Sequence, residues 1–135
     1  GMCLYGNDID EKTTPLEAGL SFVVKFKKEN FIGKDVLLKH KSEGLKRRRV
    51  GVRMLKRGVP RPYYEVWKDE EKVGYLTSGT FSPLLKCGIA MAYVLTEHAI
   101  EGEVVSVKIR DKFIDGEIVK FPFYDATQYG FRRAI

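Results

Sequence analysis

The thirteen residues Tyr64-Glu65-Val66-Trp67-Lys68-Asp69-Glu70-Glu71-Lys72-Val73-Gly74-Tyr75-Leu76 decide the fold. Tyr64 to Trp67 and Lys72 to Leu76 are rich in β-branched and aromatic residues, and the polar tip Asp69-Glu70-Glu71 lies between them, so the stretch reads as a hairpin. Working outward, Val50, Val52 and Met54 alternate with Gly51, Arg53 and Leu55, the period of two expected of a strand with one buried face. Ile89 to Val94, Val104 to Ile109 and Phe113 to Val119 bring the total to about six short strands at hairpin spacing, the pattern of a small barrel or sandwich. A turn at Asp111-Lys112 gives the last two strands comparable length and puts Gly116 inside a strand, as a bulge or a point of close approach. Thr77-Ser78-Gly79-Thr80-Phe81-Ser82-Pro83 reads as a structured loop whose hydroxyls satisfy local backbone groups.

The residues before Arg48 follow other patterns. Leu20, Phe22, Val24 and Phe26 share one face of an expected strand. Asp35 to Ser42 reads as a short helix with Val36, Leu37 and His40 inward and Gly44 as a left-handed cap. Met2, Cys3, Leu4 and Tyr5 form an apolar stub that runs into the acidic turn Gly6-Asn7-Asp8-Ile9-Asp10-Glu11, which reads as an interruption of a longer chain rather than a beginning.

Composition narrows the function classes. With 135 residues, 44% apolar and 12% aromatic, the chain supports a core, and general disorder is not expected. Two distant cysteines, Cys3 and Cys87, do not make a disulfide framework. No stretch approaches the roughly 18 consecutive apolar residues of a membrane span, and no signal-like segment opens the sequence. The expected location is therefore cytoplasmic, with no membrane partner. His40 and His98 have no metal-ligand spacing, so no metal is expected. Ser78, Ser82 and Cys87 have no histidine with an orienting carboxylate in a recognisable arrangement, and no Gly-rich phosphate loop is present. The expected catalytic set of this chain is empty.

The net charge of +6 is concentrated: Lys46 to Arg61 holds eight basic residues and no acidic one. Such a run can follow a phosphate backbone when stacking aromatics share its face, and Tyr63, Tyr64 and Trp67 are close in sequence. Against this, the charges bracket a strand and Gly58-Val59-Pro60, so they point several ways. A solvated face, or a docking surface for an acidic protein, is the expectation, and a nucleic-acid-binding basic barrel is the alternative.

Three segments together carry a family resemblance. Gly1-Met2-Cys3-Leu4-Tyr5-Gly6-Asn7-Asp8-Ile9-Asp10 with Thr13-Thr14-Pro15-Leu16-Glu17-Ala18-Gly19-Leu20 resembles the aminomethyltransferase of the glycine cleavage system, the T-protein. Arg49-Val50-Gly51-Val52 and Val73-Gly74-Tyr75-Leu76-Thr77-Ser78-Gly79-Thr80-Phe81-Ser82-Pro83 resemble the C-terminal region of that family. Ile89 to Val94 and Lys120-Phe121-Pro122-Phe123-Tyr124 continue it in order, so the resemblance covers residues 1–124.

The resemblance implies a mainly β chain: a six-stranded Greek-key-like barrel over residues 48–135. Before it, residues 1–47 would be the strand and short helix left from an upstream folate-binding core. It also implies transfer of the aminomethyl carbon from the lipoyl arm of H-protein to tetrahydrofolate, with release of ammonia. H-protein and the other glycine cleavage components are the implied partners. The folate-orienting Asp, the pterin-gripping Glu and an Arg of the family belong upstream, so this chain alone should be inactive. Met2 would line the folate cavity, and Tyr129 and Arg133 in the basic tail would meet the folate, an arginine pairing with its glutamate carboxylate. Asn7 and Asp8 would sit near the substrate channel, and Arg49 would dock a partner or form a structural ion pair to an Asp or Glu. Related folate-dependent demethylating enzymes and tRNA-modifying folate proteins are alternatives that share the fold.

Overall fold

The computed structural model describes residues 1–130. Six strands, β1 (Arg47–Met54), β2 (Glu65–Lys68), β3 (Glu71–Ser82), β4 (Cys87–Leu95), β5 (Val104–Ile109) and β6 (Lys112–Val119), close into one antiparallel barrel in the order β1-β4-β3-β2-β5-β6. β2, β3 and β4 form a meander, and β1 lies beside β4, which is Greek-key connectivity. Closure leaves no open edge.

The period of two places the core. Val50, Val52 and Met54 of β1 face inward with Ala90, Ala92 and Val94 of β4, Val105 and Val107 of β5, and Ile118 of β6. β2 and β3 add Val66, Val73 and Leu76. Branched and small side chains fill an interior too narrow for more.

Gly116 is inside β6, where an added Cβ would lie 2.9 Å from Val52 Cγ1, so it serves as a point of close approach. Four sequence expectations change here. The last hairpin turns at Arg110-Asp111, because Ile109 pairs with Lys112 and Arg110 adopts the left-handed φ of 56° that a two-residue turn requires. Thr77 to Ser82 is not a loop but the second half of β3; its hydroxyl-rich composition masks strand pairing with Cys87 to Met91. A bulge sits there, since Leu76 pairs with Ala92 and Ser78 with Met91, leaving Thr77 without a partner.

The third change concerns residues 20–26. They form no strand: Ser21–Val23 is a single 3-10 turn, and Phe22 is 72% exposed. Among the described residues no strand lies alongside, and an unpaired strand would leave its backbone groups without partners. The chain instead bonds to itself, from Val23 N–H to Leu20 carbonyl and from Val24 N–H to Ser21 carbonyl. The fourth concerns the helix α1 (Lys34–Glu43), which buries Leu37 but leaves Val36 exposed. Gly44 ends it with φ 89° and ψ 165°, a positive φ that favours glycine but outside the left-handed helical well. A second, one-turn helix α2 (Ala126–Tyr129) follows the barrel, capped by Asp125 accepting from Thr127 N–H.

Candidate functional site

The outward side chains of β1, β4 and β3 are not all in water. Tyr93 occupies an outward position of β4 yet is almost fully buried, because residues 1–20 lie over it. The junction between this segment and the barrel is where most sequence-derived site residues meet, and it is held by three sets of contacts.

The first centres on Asp8, which is only 1% exposed. One carboxylate oxygen accepts from Leu4 N–H at 2.9 Å and the other from the Thr77 hydroxyl at 2.5 Å. The Asp8 carbonyl accepts from the Tyr93 hydroxyl at 2.8 Å. Burial pushes the Tyr93 hydroxyl far above its ordinary pKa, so it remains a donor. Alternation from core-facing Leu76 turns Thr77 to the outward side, where β3 also bulges.

The second centres on Glu17 and Arg47. Thr14 N–H donates to Glu17 Oε2 while Glu17 N–H donates to the Thr14 hydroxyl, a capping box that closes the turn after Thr14. The other Glu17 oxygen takes the Arg47 Nε–H at 2.8 Å, and the same guanidinium donates to the Tyr75 hydroxyl and stacks 4.8 Å from the Tyr93 ring centre. Burial alone would raise the Glu17 pKa, but the Arg47 and Thr14 donors outweigh it and hold the carboxyl below its usual value of 4.5. A carboxyl whose folded pKa is depressed stabilises the fold above its unfolded pKa and loses that contribution as pH falls through the folded value. Acidification below about pH 4.5 should therefore loosen residues 1–20 before the barrel. Amide exchange against pH checks this, and Glu17→Gln should remove the acid-dependent part.

The third set belongs to Arg49. Its Nε–H donates to the Ala18 carbonyl at 2.8 Å, an Nη donates to the Gly1 carbonyl at 2.7 Å, and the guanidinium sits 4.6 Å from the Phe121 ring centre. The ion pair expected of Arg49 is absent from these contacts. Neighbouring Arg47 forms one instead: the Glu17 backbone carbonyl accepts from Arg49 N–H while its carboxylate reaches Arg47.

Met2 is 92% exposed beside this junction, and Leu4 and Tyr5 are exposed with it. Asn7 is exposed next to buried Asp8. Tyr129 is exposed on α2, and Arg133 lies outside the described residues. The basic run does not act as one face. Arg53 pairs with Glu117 and Lys56 with Asp115, so with Arg47 and Arg49 half of its cations are committed within the chain. Ser82 accepts from Leu85 N–H, and His98 meets Glu103, so among the described residues no hydrogen bond sets a nucleophile against a histidine–carboxylate pair. Burial raises the Cys3 thiol, the opposite of activation. Among the described residues no three His, Cys, Asp or Glu converge, and no helix is long and apolar enough to cross a membrane.

Sequence reasoning missed Thr77, Tyr93 and Arg47 as parts of this junction. Two signals were present: Thr14-Pro15-Leu16-Glu17 has capping-box spacing, and Tyr93 puts a large aromatic on the outward side of a central strand.

Comparison with known proteins gives the arrangement a family. The family described as the glycine cleavage T-protein C-terminal barrel domain matches residues 47–125, beginning at the first residue of β1. An aminomethyltransferase of Halothermothrix orenii is 51% identical over 123 residues, covering 91% of this chain and 34% of the relative. One from Caldanaerobacter subterraneus subsp. tengcongensis is 52% identical over 124 residues, covering 92% of this chain and 33% of the relative. The crystal structure of glycine cleavage system aminomethyltransferase T from Bartonella henselae superposes with a TM-score of 0.85 at 32% identity, over 91% of this chain and 35% of that one. The chain thus spans about a third of the length of the curated relatives it matches. By its barrel, its strand order and these matches, the chain belongs to the glycine cleavage T-protein family, with residues 47–125 matching its C-terminal barrel domain.

Proposed function

We propose that this chain is the C-terminal part of an aminomethyltransferase that moves the aminomethyl carbon from the lipoyl arm of H-protein to tetrahydrofolate, releasing ammonia. In this reading residues 1–47 end a folate-binding core and residues 48–135 are the barrel that closes it. The protein works in the cytoplasm with the other glycine cleavage components. No residue of this chain performs the chemistry. Met2, Tyr129 and Arg133 contact folate, and Asn7 and Asp8 border the substrate channel. Arg49 serves structurally, in keeping with its bonds to the Ala18 and Gly1 carbonyls.

The observation that carries the reading is the junction itself. A segment that resembles the T-protein family is fastened to the barrel by Asp8, Arg47 and Arg49, and it leaves Met2, Leu4 and Tyr5 exposed as an apolar face. Such a face suits the ring system of a folate and the wall of a neighbouring domain. Tetrahydrofolate would find apolar contact at Met2, with no metal required of these residues.

The test compares two proteins in an assay with aminomethyl-loaded H-protein and tetrahydrofolate. The full-length protein carrying this chain should turn over, and the purified 135-residue chain should show no folate-dependent transfer. Robust turnover by the short chain would overturn the assignment of catalysis to upstream residues. An inactive full-length protein would overturn the reaction.

A further inference from the structure

Asp8 is the one carboxylate among the described residues that is almost completely buried, and it is flanked by some of the most exposed residues of the chain. Its neighbour Asn7 is exposed, and Met2, at the other end of the same short loop, is nearly free of contact. A cover over Tyr93 could be built from apolar side chains at lower cost, because a buried carboxylate must recover its lost hydration through hydrogen bonds. What a carboxylate supplies, and an apolar plug does not, is direction. Its two oxygens take one donor from the loop, Leu4 N–H, and one from the barrel, the Thr77 hydroxyl. The Thr77 hydroxyl also lies 3.2 Å from the Met91 carbonyl. Thr77 follows core-facing Leu76 and so faces outward by strand alternation, and β3 carries a bulge at this residue, between the pairs Leu76–Ala92 and Ser78–Met91. Bulges of this kind re-aim a single side chain and cluster near functional sites.

We propose that Thr77 is a positioning residue: through Asp8 it fixes where the barrel holds the Met2–Asn7 loop against the folate. The inference rests on the aminomethyltransferase reading and adds to it a residue that touches no substrate. Its hydroxyl sets the angle of the loop, and the loop sets the apolar wall at Met2. Loss of the hydroxyl leaves Asp8 with one unanswered oxygen, which the loop resolves by shifting toward water.

The experiment uses the full-length protein with Thr77→Val, which keeps shape and removes the donor, and Thr77→Ser, which restores it. The valine variant should raise KM for tetrahydrofolate about tenfold with kcat within about threefold, and serine should return KM to near the wild-type value. Hydrogen exchange in peptides covering residues 1–9 should quicken in the valine variant while β1 and β4 stay protected. A valine variant with lowered melting temperature but unchanged KM and loop exchange would reduce Thr77 to a structural residue and overturn the proposal. Equal KM values for serine and valine variants would do the same. If the wild-type protein transfers no aminomethyl group, the reaction reading falls and the positioning role with it, an outcome distinct from an active wild type whose KM ignores Thr77.

Discussion

Replacing Gly74 by valine is expected to remove a large share of the barrel's stability and to lower its melting temperature steeply. Gly74 sits in β3 between Val66 of β2 and Val94 of β4, in the middle of three paired strands. A Cβ there would lie 2.1 Å from the Tyr93 carbonyl oxygen and 2.9 Å from Val94 Cα. Both are backbone atoms of a central strand, so neither can rotate away as a side chain would. Relief requires moving β4, which carries Ala90, Ala92 and Val94 of the core inward and Tyr93 of the junction outward. Overpacking of this kind costs several kcal/mol, about 3–5 here, against a total stability on the order of 5–15 kcal/mol. Gly74→Ala should be nearly as damaging, because the first carbon already collides. Thermal melting followed by circular dichroism decides it: a melting temperature near that of the wild type would show that the adjoining β-bulge at Val66/Trp67 absorbs the strain.

Arg47→Ala should release residues 1–20 from a barrel that stays folded. The guanidinium is only partly exposed, and it joins Glu17, the Tyr75 hydroxyl and the Tyr93 ring face. Its removal leaves Glu17 Oε1 without its partner while Oε2 keeps the capping box. Losing one member of a half-buried pair together with its ring contact should cost about 2–3 kcal/mol, less than a fully buried pair because water reaches both groups. Nothing in the barrel interior changes, so the loss should appear locally. Exchange of the Ala18 and Leu20 amides should accelerate, while those of β4 and β5 keep their protection. Combining Arg47→Ala with Glu17→Ala should cost clearly less than the sum of the single changes, since the second removes a partner already lost. Additive costs would mean that Arg47 acts through Tyr75 and Tyr93 alone.

Much of the barrel was legible from residue order. Val50, Val52 and Met54, the runs around Asp69-Glu70, and the two strands either side of Arg110-Asp111 each declare themselves by alternation and turn chemistry, because their burial is decided by the parity of the strand. Thr77 to Ser82 was misread because its small polar residues suit a loop and a strand equally, and only pairing with β4 settles which. Leu20 to Phe26 failed the other way. Alternation supplies a face, but a strand also needs a neighbour for its backbone, and among the described residues none is beside it.

The candidate site was legible only as residue types. The loop from Met2 to Asp10 could be quoted as a site loop from its sequence, but its fastening could not. Asp8 and Thr77 are 69 positions apart, and Arg47 and Glu17 are 30. The sequence by itself determined a basic, mainly β chain with six strands, since parity, turns and composition are local properties. Tertiary structure alone decided that Asp8 would be buried, that Arg47 rather than Arg49 would take the ion pair, and that Thr77 would face the loop. Those outcomes depend on which outward face of the closed barrel the N-terminal segment covers, which no short window of sequence contains.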